Sequence, residues 1–420
     1  MANSKESVNS LVDHLFRRES ARLVAILTRL FGPANIERAE DIVQDTLIEA
    51  MNHWTDGEIP DNPAAWLTQV ARRKTLNELK RIKVVQDHRE AVKVRNPEPE
   101  QLVEENFLDT VMQDSQLRMI FTCCHPLLSL ESQLVMTLKI LCGFSIKEVS
   151  QALLTREEVI NKRLYRAKEK IRSGQVPFHT PPASDERRLR AVCLTLYLLF
   201  NEGYNSSQRE SLIRKDLCAE AMRLTKVLTN NFDDHTELWA LLSLMCFHTA
   251  RFDARLDQLG AIVIFEDQDR TQWNQELIAK GFYYLGKASV GTNISEYHLE
   301  AGIAAEHCQA KNFGETDWKS VYQQYELLYT LNKNPIVKLN MAIVYSHLGS
   351  LRGAIEKLEE IVVAKELERY YLLPATLGVF YVKEKNYDRA LHYLTLARQM
   401  TGSPWEKDFL NRKIGECSPP

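Results

Sequence analysis

The segment of residues 143–172, GFSIKEVSQALLTREEVINKRLYRAKEKIR, carries side chains of the types that bind DNA phosphates and base edges. From Arg156 to Arg172 it holds seven Lys or Arg against three Glu. Apolar residues recur at the spacing of one helix face, at Ile160, Leu164, Ala167 and Ile171. The opposite face is therefore basic and polar. The candidate DNA-contacting residues are Arg156, Glu157, Asn161, Lys162, Tyr165, Arg166 and Lys168.

Two helix-start signals lie ten residues apart in the same segment. Ser145 with Glu148, and Thr155 with Glu158, both have the spacing of a capping box, in which a hydroxyl and a carboxylate satisfy the first amides of a helix. Two short helices that begin about ten residues apart are typical of a helix-turn-helix. Taken alone, the second helix is also compatible with a solvated basic helix in an ordinary bundle.

A second group of candidate residues lies in the first hundred positions. In AEDIVQDTL (39–47), the side chains of Asp41, Gln44 and Asp45 fall on one side of a helix. From the periodicity alone, this side is interpreted as a solvated acidic face. The stretch after it, from Trp66 to Arg95, has nine Lys or Arg against three acidic residues. Its candidate nucleic-acid contacts are Arg72, Arg73, Lys74, Asn77, Lys80 and Arg81.

A basic helix beside a pocket can hold an unpaired base by stacking and edge hydrogen bonds. The loop of residues 54–64, WTDGEIPDNPA, is the candidate pocket. We expect Trp66 to belong to the core instead, because its spacing with Val70 is that of a buried stripe.

Composition predicts an all-α protein. Gly and Pro number only 16 and 14 of 420 residues, and long stretches follow the 3.6-residue period. The formal net charge is −3, so contacts with nucleic acid must come from local clusters. No apolar run reaches the roughly 18 residues of a spanning helix, and residues 1–20 lack the apolar stretch of a signal peptide. We therefore expect a cytoplasmic protein with no membrane partner.

Charge and proline content divide the chain into five segments. Residues 1–95 form a first helical unit, and residues 96–114 hold six acidic residues with no Lys or Arg, which indicates a tether. Residues 115–175 contain the helix-turn-helix, and residues 176–184 contain three prolines, which indicates a second linker. The acidity of the first tether is explained either by mimicry of nucleic-acid charge or by solubility alone.

The last segment, residues 185–420, contains an internal repeat. Four residues recur 36 positions later, namely Ala342, Tyr345, Ala354 and Leu358 as Gly378, Tyr381, Ala390 and Leu394. Small residues where paired helices cross, with an aromatic between them, are similar to tetratricopeptide repeats, whose usual period is 34. We therefore predict a helical-repeat domain.

Other polar clusters do not indicate catalysis or a metal. Cys123, Cys124 and His125 are adjacent on one helix and lack a second ligand pair, so we interpret them as a buried helix end. A polar cluster is formed by Asp267, Asp269, Arg270 and Trp273. We interpret it as a structural ion-pair network, and a ligand site is the alternative. The sequence has no nucleophile–base set and no glycine-rich phosphate loop. We expect no enzymatic activity and no cofactor.

Two basic elements joined by an acidic tether, the second a helix-turn-helix, resemble bacterial extracytoplasmic-function sigma factors. AEDIVQDTL (39–47), PAAWLTQVARRKTLNELKR (63–81) and RLYRAKEKIR (163–172) look like the polymerase-binding, downstream-promoter and upstream-promoter helices of that family. The segments FTCCHPLLSLESQ (121–133), LYLLFNEGY (196–204), EDQDRTQW (266–273) and TDW (316–318) look like the signatures of its subgroup with a long C-terminal tetratricopeptide-like domain. Lys74, Asn77 and Arg156 depart from the subgroup's usual residues.

The resemblance implies a sigma factor that binds core RNA polymerase through Asp41, Gln44 and Asp45 and opens selected promoters. It implies downstream-element contacts on the helix of residues 63–81 and upstream-element contacts on the helix of residues 156–172. Residues 185–420 would act in cis on the sigma module and would be required for its activity. Whether they also bind an unidentified protein partner is left open. The alternatives are a free-standing helix-turn-helix regulator and a repeat-based scaffold.

Overall fold

The structure is a computed structural model that describes residues 2–54, 59–87, 98–153, 155–182, 185–205, 213–258 and 261–417. For residues 2–14, 85–87 and 151 it describes the backbone alone. The described residues are helical, with one isolated antiparallel bridge between Leu256 and Ile262 and no strand, so the predicted all-α fold is confirmed. The chain forms two compact units, Met1–Leu196 and Tyr197–Pro420. None of the described helices is long and apolar enough to cross a membrane.

Helices make up most of the described part of the first unit. In chain order they are α1 (Ala2–Phe31), α2 (Ile36–Trp54), α3 (Pro63–Asp87), α4 (Pro99–Asn106), α5 (Asp109–Cys123), α6 (Leu130–Met136), α7 (Ile146–Ala152), α8 (Glu157–Arg172) and α9 (Glu186–Tyr204). A π-helical turn, Thr137–Leu141, extends α6. The division between the units falls inside α9.

The core of the first unit forms because α1 is apolar on the side that faces α2, α3 and α5. Leu23, Ile26 and Leu27 of α1 are fully buried, as are Ile36 of α2 and Leu67 of α3. Around Trp54 the indole rings of Trp54 and Trp66 lie 5.3 Å apart. Trp66 is half-buried and packs on this cluster, as its spacing predicts. The pocket predicted at residues 54–64 includes residues 55–58, which lie outside the described residues.

The prediction that residues 96–114 form a tether is wrong for the described part, residues 98–114. These residues belong to α4 and α5, with a break of two residues between the helices. Val103, Phe107 and Met112 are buried, and their side chains supply the apolar contacts that a solvated tether would lack. The acidic residues occupy the outer side of these helices.

The proline segment at 176–184 is also packed where the structure describes it. Val176 and Pro181 are buried, and the Thr122 hydroxyl donates a hydrogen bond to the Pro177 carbonyl oxygen. Residues 176–182 therefore lie along the first unit, held by contacts that a free linker would not make.

One predicted helix start is confirmed and one is wrong. The Glu148 amide donates to Ser145 Oγ at 3.2 Å, and the Ser145 amide donates to Glu148 Oε2 at 2.8 Å, which is the reciprocal pair of a capping box. Thr155 makes no such cap, because its hydroxyl donates instead to the Leu153 carbonyl oxygen. Helix α8 begins at Glu157 with Arg156 as its N-cap residue, and no side chain caps it.

The second unit is a succession of helices in which neighbours along the chain pack together. They are α10 (Lys215–Asn231), α11 (Thr236–Ala250), α12 (Gln275–Ala288), α13 (Glu296–Gln309), α14 (Trp318–Leu331), α15 (Pro335–His347), α16 (Leu351–Val363), α17 (Leu372–Lys383), α18 (Tyr387–Met400) and α19 (Pro404–Gly415).

The 36-residue repeat predicted in this unit corresponds to two helical hairpins. Helix α15 pairs with α16, and α17 pairs with α18. The small residues stand where the helices cross: a Cβ added at Gly378 would meet Leu394 Cγ at 2.6 Å. The equivalent residues Ala342 and Ala354 of the first hairpin are fully buried. Close helix approach is thus the physical reason for the repeated small residues.

Candidate functional site

Helix α2 presents the acidic face that its periodicity predicts. Asp41, Gln44 and Asp45 are exposed, whereas Ile42 and Val43 are buried against the core. Asp41 and Gln44 also line a polar cleft of about 720 Å³. Gly143, Ser145, Glu148 and Lys168 line the same cleft. The candidate acidic surface is therefore open to a partner but bordered by the α7–α8 part of the same unit.

Most of the predicted cations of α3 are engaged with carboxylates of neighbouring helices. Arg73 and Lys74 both pair with Glu49 of α2, the second at 2.9 Å. The pKa of Glu49 lies below its ordinary value, chiefly because the Lys74 ammonium donates a hydrogen bond to it. Lys80 pairs with Glu100 of α4 at 2.7 Å.

The remaining α3 candidates lie at its surface or against α4. Arg81 is exposed and pairs with Glu78 of its own helix at 3.0 Å, and Asn77 is exposed. The Arg72 guanidinium lies 5.9 Å from the centroid of the Phe107 ring. Helix α4 thus supplies an acidic neighbour to the basic helix, and Phe107, the residue that follows α4, supplies an aromatic one.

Helix α8 presents six of the seven predicted residues to solvent. The exposed residues are Arg156, Glu157, Asn161, Lys162, Tyr165 and Arg166. The expectation that Lys168 lies on this outer face is wrong, because its side chain is buried and its ammonium pairs with Glu40 of α2. One turn further on, Arg172 pairs with Glu37 at 3.1 Å. The last turns of α8 are therefore turned towards α2.

A second contact between the same parts centres on Arg17 of α1, which the sequence reasoning missed. Its guanidinium donates to Glu148 at 2.6 Å and lies 4.4 Å from the centroid of the Phe144 ring. Gly143 has φ +69°, and a Cβ added there would lie 2.9 Å from Arg17 Cα. The glycine before the Ser145 cap is the sequence signal for this close approach.

Replacing Gly143 with alanine is expected to lower the melting temperature of the first unit strongly. The new methyl group would collide with Arg17 backbone atoms. The alanine backbone would also have to adopt the left-handed conformation, which is unfavourable for a residue with a Cβ. A combined cost of about 3 kcal/mol corresponds to a fall of about 6–12 °C. The matched control is Gly174→Ala. Gly174 has a similar φ of +75°, but a Cβ added there would have no atom within 4 Å, so only the backbone strain of about 1 kcal/mol applies. Thermal unfolding followed by circular dichroism gives both values, and equal shifts would contradict the close approach.

The cysteine and histidine residues of FTCCH lie at the end of α5 and beyond it. Cys123 and Cys124 are fully buried, and burial raises the pKa of the Cys124 thiol to about 11. Burial likewise lowers the pKa of His125 to about 4. Both thiols are therefore protonated and both face protein, which agrees with their interpretation as a buried helix end. Among the described residues no group of His, Cys, Asp or Glu has the geometry of a metal site.

The start of α9 is fixed to α5 and α6 by two polar contacts. Arg188 Nη2 donates to the Phe121 carbonyl oxygen at 2.9 Å, and the Thr195 hydroxyl donates to Gln133 Oε1 at 2.9 Å. Gln133 is itself buried and donates to the carbonyl oxygens of His125 and Leu128. This network explains why the FTCCHPLLSLESQ segment carries buried polar residues.

The contacts that Asp269 and Arg270 make within the described residues are not the ion pairs that were predicted for residues 267–273. Asp269 caps a short 3-10 turn by accepting from the Thr271 amide. Arg270 donates to the carbonyl oxygens of His307 and Ala310 at the end of α13. Within the described part of the chain, no carboxylate lies within ion-pair distance of Arg270. Carbonyl oxygens at a helix C-terminus carry partial negative charge, so they can replace the expected carboxylate.

Comparisons with known proteins assign two parts of the chain. Residues 15–84, which include α2 and most of α3, match the family model Sigma-70 region 2. Residues 188–289 match a family of unknown function, DUF6596. No solved structure matches the chain. The first match supports a sigma-factor role in promoter recognition and transcription initiation, with binding of core RNA polymerase and promoter DNA.

One relative is similar over most of both chains. It is the "Uncharacterized protein R00370" of Rhizobium meliloti (strain 1021), 32% identical over 353 residues, which are 81% of this chain and 81% of the relative. This similarity extends well beyond the two matched domains. The chain therefore belongs to the same protein family as the Rhizobium meliloti protein, with a Sigma-70 region 2 match near its N-terminus.

Proposed function

We propose that the chain is a sigma factor of the extracytoplasmic-function type, in which α2 binds core RNA polymerase. The main support is that Asp41, Gln44 and Asp45 are exposed on one face of α2, within the residues that match Sigma-70 region 2. An acidic helix face suits a basic surface of a partner, because complementary charge steers association and fixes the docking register.

Gel filtration of the full chain mixed with core RNA polymerase tests this proposal. Co-elution of the two supports it. Separate elution of the folded chain would contradict polymerase binding, and retained DNA binding in that case would favour a free-standing regulator.

We also propose that α7 and α8 form a helix-turn-helix that reads the upstream promoter element, and that α3 contacts the downstream element. Support comes from the exposed polar residues of α8 and from the cationic residues of α3. Many of these cations already pair with carboxylates of the same unit. An exposed pair such as Lys80–Glu100 contributes about 0–1 kcal/mol, so a DNA phosphate can replace its carboxylate at low cost.

The α8 contacts predict different outcomes for three alanine substitutions. Asn161→Ala and Lys162→Ala are each expected to weaken binding to the cognate promoter by about 1–3 kcal/mol and to relax its sequence preference. Lys168→Ala is expected to lower thermal stability without changing sequence preference, because its ammonium pairs with Glu40. Fluorescence anisotropy on cognate and random DNA at two salt concentrations measures the DNA binding of all three variants, and thermal unfolding followed by circular dichroism measures the stability of Lys168→Ala. Equal losses on both DNAs for Asn161→Ala and Lys162→Ala would contradict base reading.

For the C-terminal region we propose a tetratricopeptide-like domain with a required positive role in transcription. The two hairpins α15–α16 and α17–α18 with their 36-residue period support the first part. The contacts of Arg188 with Phe121 and of Thr195 with Gln133 support the second part, because they fix the residues after the proline segment to the first unit. A detachable lid would instead be expected to follow an exposed, uncontacted linker.

A further inference from the structure

A cluster of cations in the second unit has no carboxylate partner among the described residues. It consists of Arg251, Arg255 and Arg270, flanked by His248 and His307. Aromatic rings separate these groups. The Arg251 guanidinium carbon lies 4.0 Å from the centroid of Phe265 and 5.6 Å from that of Trp273. The Phe265 ring in turn lies 4.7 Å from the His307 ring.

Two of the three arginines have hydrogen-bond acceptors of their own. Arg270 donates to the Ala310 carbonyl oxygen at 2.8 Å, to that of His307, and to Thr316 Oγ1 at 3.3 Å. Arg255 donates to the Tyr204 carbonyl oxygen and stacks on the Tyr204 ring at 4.0 Å. Both guanidinium groups are therefore held in place by main chain and aromatic faces.

Arg251 differs because its side chain makes no hydrogen bond within the described part of the chain, although its main chain does. Its Nε is enclosed without an acceptor, while the side chain as a whole is only half-buried. Its terminal nitrogens, which are also without a partner there, can consequently be reached from solvent. Arg251 thus combines a fixed position on an aromatic surface with donors that are free to bind.

Other enclosed polar atoms without partners lie on neighbouring residues of this cluster. They are His248 Nδ1, Gln268 Oε1, Trp273 Nε1 and His307 Nδ1. Buried polar atoms without partners are rare in folded proteins, and an ion or water is the usual explanation. Burial, reinforced by Arg251, lowers the pKa of both His248 and His307 to about 3, so both imidazoles are neutral and each has one N–H to donate.

We propose that Arg251 binds a small oxyanion, a phosphoryl or carboxylate group, through the guanidinium nitrogens that the rings of Phe265 and Trp273 hold in place. The guanidinium fork can donate two parallel hydrogen bonds to two oxygens of such a group. An anion would also supply the missing counter-charge for three arginines gathered in a partly buried place. The site lies within the second unit, so this proposal does not depend on the sigma-factor role.

Thermal unfolding of the full chain with added anions tests the proposal. The protein is kept in Tris-chloride buffer and titrated with sodium phosphate or with sodium acetate, with ionic strength held constant by sodium chloride. We expect a saturable rise in melting temperature of about 3 °C or more for at least one of the two anions. A rise with phosphate alone assigns a phosphoryl ligand, and a rise with acetate alone assigns a carboxylate.

Three variants make the result specific to Arg251. Arg251→Met should abolish the rise and, without anion, should melt no lower than the natural chain, because it removes a charge that lacks a partner. Arg251→Lys keeps the charge but loses the fork, so it should show a smaller rise. Arg352→Met, at an exposed arginine of the same unit, should keep the full rise. No rise beyond that of sodium chloride, or an unchanged rise in Arg251→Met, would overturn the proposal.

Discussion

Replacing Asp41 and Asp45 with lysine is expected to weaken binding of core RNA polymerase on the order of 100-fold. Both carboxylates are exposed on α2, so the substitutions should leave the fold intact. The new lysines would oppose a basic partner surface, and like charges brought together at an interface cost several kcal/mol. Equilibrium binding to labelled polymerase, measured at two salt concentrations, gives the change in affinity and its electrostatic share.

The matched control is the pair Glu104→Lys and Glu105→Lys on α4. These residues are also acidic and exposed in the same unit, and their substitution changes the net charge equally. The control should bind polymerase nearly as well as the natural chain. Equal loss in both double variants would assign the effect to net charge, and no loss in the α2 variant would remove α2 as the docking face.

Ending the chain at residue 184 is expected to destabilise the first unit by about 5 kcal/mol or more. That truncation removes the buried side chains of Leu189, Val192, Cys193 and Leu196. Full burial of one large apolar side chain contributes about 1.5–3 kcal/mol. The contacts of Arg188 with Phe121 and of Thr195 with Gln133 would be lost as well. Since folded domains are stable by only about 5–15 kcal/mol, much of this truncated chain should be unfolded at 37 °C.

The comparison is a chain of residues 1–204, which keeps α9 whole. It should unfold cooperatively at a higher temperature than the chain of residues 1–184, as measured by circular dichroism and urea denaturation. Equal stabilities would show that α9 contributes nothing to the first unit. Transcription assays that ask what the second unit does should therefore use residues 1–204, because the shorter chain confounds loss of a regulator with loss of folding.

The helices and the outward face of α2 could be predicted because they follow from local periodicity. Apolar residues at Ile42 and Val43 set the buried side, and Asp41 and Asp45 had to face outwards. The Ser145 cap was predictable for the same reason, since its partner Glu148 is only three residues away. The repeat of α15–α18 was visible in the sequence because close helix crossings demand small residues at fixed intervals.

The contacts between distant segments could not be predicted. Periodicity placed Lys168 with the polar residues of α8, but its long side chain reaches Glu40, which lies 128 positions earlier. The Arg17–Glu148 pair is separated by 131 positions and has no local signature. Arg270 was expected to pair with a carboxylate, and the carbonyl oxygens that hold it belong to a helix end that no sequence pattern near Arg270 reveals.

Transcription in vitro tests the central claim most directly, because it requires polymerase binding and promoter recognition together. Core RNA polymerase of the source organism would be incubated with sheared genomic DNA, with and without the full chain, and the 5′ ends of the transcripts would be sequenced. We predict new start sites that share sequence elements upstream and that disappear with the Asp41→Lys and Asp45→Lys variant. A folded full chain that yields no start sites beyond those of core polymerase alone would contradict the assignment as a sigma factor.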